Sequence, residues 1–195
     1  MSLKKESVAG IFTCILYFLS VGLFLITKSD AALTIWELMT VVSGPVVLIV
    51  LIGLSEFVST PGNYKKAMIA FMGCACALTA AAHIVNITVT RALVQEGVNV
   101  PTYFQIGYWP SVEMAVDYLA WGFFVGLSFL CIGIPIKSVD REKQRIKVIS
   151  LICSLLCIAG FIGAIFVNEN IWYLAPMGYG IGLLILCLLM YKASN

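Results

Sequence analysis

Charge is scarce in this chain. Charged residues fill 11% of its 195 positions and hydrophobic residues 61%, whereas soluble domains carry about 25% charged residues. That shortage excludes an ordinary soluble domain and points to a multi-pass membrane protein. A net charge of +2 gives no case for a nucleic-acid partner. Histidine occurs once, at His83. A catalytic zinc site usually draws on two or three His, or on Cys with His, so no metal and no cofactor is expected. Period-two alternation is missing, which excludes a strand-built membrane barrel. No Lys sits in the middle of an apolar run, so a retinal Schiff base is not expected. Nucleophile-elbow serines, paired-histidine hydrolase motifs and phosphate-gripping glycine loops are also missing.

Cysteine is not scarce. Seven are present, at positions 14, 74, 76, 131, 153, 157 and 187, and all fall within apolar runs. There they behave as small hydrophobes, and structural disulfides are not expected. Cys74 and Cys76 diverge by about 200° on a helix, so they form no redox pair. Asn86-Ile87-Thr88 matches a glycosylation sequon but lies inside an apolar run.

The abundant feature is apolar length. Six runs cover residues 8–27, 34–58, 67–94, 108–136, 148–167 and 171–191. Each is long enough to cross a hydrocarbon core, which takes about 20 helical residues. The fold expected is therefore all-α, a single six-helix transmembrane domain over residues 1–195. The first run outlasts a signal-peptide core and is expected to be a retained helix. Ser59-Thr60-Pro61-Gly62-Asn63 and Asn168-Glu169-Asn170 punctuate turns, and Pro135 ends the fourth run. The one long connection, residues 95–107, exceeds the usual bundle loop.

Basic residues set an orientation. Ten of the twelve Lys and Arg fall on one side of a six-span arrangement, and only Lys28 and Arg91 fall near the other. The positive-inside rule then expects both termini in the cytoplasm of a cell membrane. The segment 137–147 holds five of those cations, as a topology signal or a contact for anionic lipid. No internal repeat supports an inverted-repeat transporter.

Against that frame the polar residues inside the spans share one level. Glu37, His83, Asn86, Glu113 and Asp117 all fall in the half away from the basic loops. Between Arg91 and Lys137 the chain has no cation at all. Glu113, Asp117 and Trp121 share one face of the fourth span, and His83 shares a face of the third with Cys76, Thr79, Asn86 and Thr90. The simplest packing turns these faces toward each other, with His83 or Arg91 offsetting the acids. Gly122 and Gly126 fall on the opposite face of the fourth span, suited to close helix contact. Ionisable groups within a membrane cost about 2.5–3.5 kcal/mol each at mid-depth, and so default to a functional reading.

The leading reading is a polar, acidic pocket for a small molecule or lipid headgroup, built from Glu37, His83, Asn86, Glu113, Asp117 and Trp121. It would serve a substrate-capturing or transport-related subunit. Carboxylates favour a cation, an amine or a hydroxyl-bearing ligand. An intramembrane enzyme would instead use Glu113 or Asp117 with His83 as acid and base. A structural or assembly protein would use the same groups only to join helices. The stretches DYLAWGFFVGLSFLCIG (117–133) and YLAPMGYGIGLLILCLLMY (173–191) resemble uncharacterised six-helix prokaryotic membrane proteins of unknown function. The resemblance covers the topology and the fourth to sixth spans. It implies no activity and no residue roles.

Overall fold

In the computed structural model the chain forms six helices long and apolar enough to cross a membrane. They are α1 (Leu3–Thr27), α2 (Asp30–Phe57), α3 (Gly62–Gln95), α4 (Val112–Gly133), α5 (Arg141–Ile165) and α6 (Asn170–Ala193). The structure describes residues 3–106, 108–137 and 139–194, with Glu169 described by its backbone alone. Among the described residues there is no strand. Gly107, the end of the long connection, lies outside them.

Most helices extend past their apolar runs, because polar flanks with good caps continue the backbone pattern. α2 starts at a Ser29 cap that accepts from the Ala32 N–H. α5 starts within the cationic segment, where the Asp140 carboxylate accepts from the Glu142 and Lys143 N–H groups. α4 is the exception and starts later than hydropathy alone places it. Pro110 precedes it on a cis peptide bond, and the Ser111 hydroxyl accepts from Met114 N–H. Tyr108 and Trp109 therefore belong to the connection, and Glu113 to the first turn of the helix.

The core is one continuous cluster, centred on Val50, Leu51, Leu54, Met68, Phe129 and Leu186. α4 and α6 both pack against α5. A Cβ on Gly122 would meet Phe161 at 2.8 Å, and one on Gly126 would meet Ile158 at 2.8 Å, so α4 lies directly against α5. A Cβ on Gly160 would come still closer, 2.3 Å from the Ala175 nitrogen of α6, and one on Gly178 of α6 would meet Cys157 at 2.7 Å. Without a hydrophobic force between helices in lipid, such small-residue contacts supply much of the association. All seven cysteines are free.

The two ends of the bundle differ. At one, Lys65 pairs with Glu56 at 2.8 Å, Lys143 lies over Phe57, and Lys192 approaches Glu142 at 3.9 Å. Lys4 of α1 lies over Tyr191 of α6, so both ends of the described chain meet at this basic end. Trp36, Trp109, Trp121 and Trp172, all four tryptophans, belong to the opposite half.

Candidate functional site

The tryptophan half holds a polar network joining α2, α3 and α4. At its centre His83, 1% exposed, stands between two carboxylates. Its Nδ1 lies 3.8 Å from Glu37 Oε1, and its Nε2 lies 3.5 Å from Asp117 Oδ1. Glu37 is 0% exposed and is well held. Its Oε1 accepts from Asn86 Nδ2 at 2.5 Å, and its Oε2 pairs with Arg91 Nη2. Arg91 also donates to the Thr34 hydroxyl. Glu37 and Arg91 therefore neutralise each other, leaving Asp117, 19% exposed, as the more accessible acid.

Local backbone irregularity places these groups. On a regular helix Arg91 would point roughly 80° away from His83. The segment Asn86–Thr90 is instead a π-helical turn. One inserted residue turns the following side chains back by about 100°, which brings Arg91 over Glu37. A second π segment, Tyr118–Phe124, starts right after Asp117 and carries Trp121. A third, Met177–Gly182, follows Pro176 and carries Tyr179. Three such segments in one half of a small bundle are unusual, since π turns are rare and concentrate at functional sites.

Beside the network lies a cavity of about 30 Å³, lined chiefly by Thr13, Tyr17, Ser43, Val47, Trp121 and Tyr179. The Tyr17 hydroxyl sits beside Trp36, Thr40 and Tyr179, and within the field of Asp117. The Trp121 and Tyr179 rings touch at 5.1 Å between centroids. Farther toward the end, Trp109, Tyr118 and Trp172 pack together, with Tyr118 and Trp172 stacked at 5.9 Å.

Polar groups here are incompletely paired. Twelve buried side-chain N or O atoms have no hydrogen-bond partner among the described residues, and nine belong to Trp36, Thr79, His83, Trp109, Glu113, Asp117, Trp121 and Trp172. Native proteins keep such atoms few, because each costs about 1–3 kcal/mol.

The sequence-derived residues therefore meet only in part. Glu37, His83, Asn86 and Asp117 form one network, and Trp121 walls the adjoining cavity. Glu113 is buried in the first turn of α4, where a carboxylate suits the helix dipole. No hydrogen bond or ion pair joins it to His83 or Asp117 among the described residues. Thr34, Tyr17 and Tyr179 are additions. Each is one hydroxyl among several on its helix, so no pattern along the chain marks it. Among the described residues no group of three or more His, Cys, Asp or Glu is placed to hold a metal ion. No family model, no curated protein and no solved structure matches this chain.

Proposed function

We propose that the protein is a membrane-embedded binding protein whose polar network and adjoining aromatic cavity take a small molecule bearing an amine or hydroxyl group. The observation that supports this reading is that buried atoms of His83, Asp117 and Trp121 lack hydrogen-bond partners among the described residues, and that Trp121 also lines the cavity. A ligand with a hydrogen-bonding head would supply partners for these atoms. Asp117 supplies the negative charge that Glu37 has already given to Arg91. Trp121, Tyr17 and Tyr179 supply aromatic faces that suit an ammonium group. The cavity is small, so the group seated there is a headgroup or a compact molecule.

The test uses purified protein in detergent, with ethanolamine and glycerol as probes and the thermal unfolding midpoint as readout. Ethanolamine is expected to raise the midpoint of the wild type and not that of Asp117→Asn. Trp121→Phe should retain the shift, because an aromatic face remains. An equal shift in Asp117→Asn, or none with either probe in the wild type, would sink the reading. In that case the network serves only to join helices.

The approach of His83 to Asp117 also favours a second reading, acid–base chemistry on the bound molecule. It predicts product formation by the purified protein alone, lost in His83→Gln.

A further inference from the structure

A second surface lies at the opposite end, away from the network. The first turns of α5 and the last turns of α6 enclose an open groove of about 500 Å³. Its rim is polar: Arg141, Gln144 and Arg145. Its floor is apolar: Val148 on α5 with Ile185 and Leu189 on α6. Val148 and Ile185 are themselves exposed, so in a membrane they face lipid.

Charge at the rim is unbalanced. Arg141 and Arg145 stand four residues apart, on one helical face. Arg145 Nη1 donates to Glu142 Oε1 at 2.9 Å, and Lys192 approaches the same oxygen at 3.9 Å. Arg141 makes no ion pair with any described residue. Two carboxylates at this end of α5, Asp140 and Glu142, thus stand against Arg141, Arg145 and Lys192, and the excess is positive. The rim also lies where α5 enters the apolar layer, at headgroup depth, with the floor at acyl depth.

We propose that this groove seats one anionic phospholipid, its phosphate on Arg141 and Arg145 and an acyl chain along Val148, Ile185 and Leu189. Arginine grips a phosphate with two parallel N–H bonds, and the rim's excess positive charge favours a headgroup with no compensating ammonium. The floor selects a lipid over a free phosphate, because burying chain against it removes apolar surface from the polar boundary. Nothing in this proposal depends on the ligand of the tryptophan half.

Native mass spectrometry tests it, on protein released from micelles holding equal phosphatidylglycerol and phosphatidylcholine with matched chains. One phosphatidylglycerol is expected to stay bound in preference to phosphatidylcholine. Arg141→Gln with Arg145→Gln should weaken retention on the order of twentyfold, since each basic side chain near an anionic headgroup contributes a factor of about five. Should that pair fail to insert, Arg141→Gln alone should give about a fivefold loss. Ile185→Trp fills the floor without changing charge and should also displace the lipid. Equal retention of phosphatidylcholine would overturn the proposal. So would unchanged retention in the arginine variants. Competition by inorganic phosphate with no effect of Ile185→Trp would reduce the groove to an ion site and overturn it as well.

Discussion

Glu37 and Arg91 illustrate what a single buried charge demands of its surroundings. Glu37 is wholly enclosed, and it is held by the pairing with Arg91, the bond from Asn86 and the nearby His83 ring. Removing one partner strands the other, which typically costs about 3–5 kcal/mol, while replacing both by apolar groups of similar size is often neutral. Glu37→Ala is accordingly expected to lower the thermal unfolding midpoint sharply, and Arg91→Leu likewise. The double variant Glu37→Leu with Arg91→Leu should regain most of the loss. A double variant no better than the singles would show that the pair is not an isolated unit. Of this network the sequence displays the members but not the bonds. Depth alone brings Glu37, His83 and Asp117 to one level, because an intramembrane charge is conspicuous against an apolar background. The Glu37–Arg91 pairing is not visible there, since on a regular helix Arg91 faces elsewhere.

Glycines stand in the helices in two different settings. A Cβ at Gly160 would come within 2.3 Å of the Ala175 backbone nitrogen, and backbone cannot step aside. Gly160→Ala should therefore push α6 off α5 and cost about 1–3 kcal/mol, as overpacking does. Gly73, on the outer face of α3, has nothing within 4 Å of its added Cβ. Gly73→Ala should stabilise the helix by about 0.5–1 kcal/mol through backbone entropy. Unfolding of the two variants side by side checks both signs, and a shift in the same direction would refute the distinction. Hydropathy reads the six helices well because membrane crossing requires length and apolarity together. It reads the start of α4 poorly, because Tyr108 and Trp109 are apolar yet precede Pro110 and the Ser111 cap. The three π segments leave no hydropathy trace at all. An i→i+5 bond changes which face a side chain takes, not how apolar the segment is.

At the scale of the whole molecule, the two ends carry different chemistry, and this difference predicts an orientation. Ten of the twelve cations sit toward the end where Lys4 meets Tyr191. Of the remaining two, Arg91 is withdrawn into the network by Glu37, which leaves Lys28 as the one cation outside the network in the tryptophan half. Structure thus sharpens the asymmetry beyond the count, because a cation already paired within the bundle presents little charge at the membrane surface. The positive-inside rule predicts that the basic end, with both termini, faces the cytoplasm. The connection 95–107 and the candidate site would face the opposite side. In intact cells, a membrane-impermeant maleimide should label a cysteine placed at Gly97 and spare one placed at Val139. The reverse pattern would overturn the orientation and put the site on the cytoplasmic side. Neutralising Lys137, Arg141, Lys143, Arg145 and Lys147 together removes half of the ten basic-end cations. Some chains should then insert inverted, and label at position 139. A fully unchanged pattern would mean that helix packing, rather than charge, fixes the orientation.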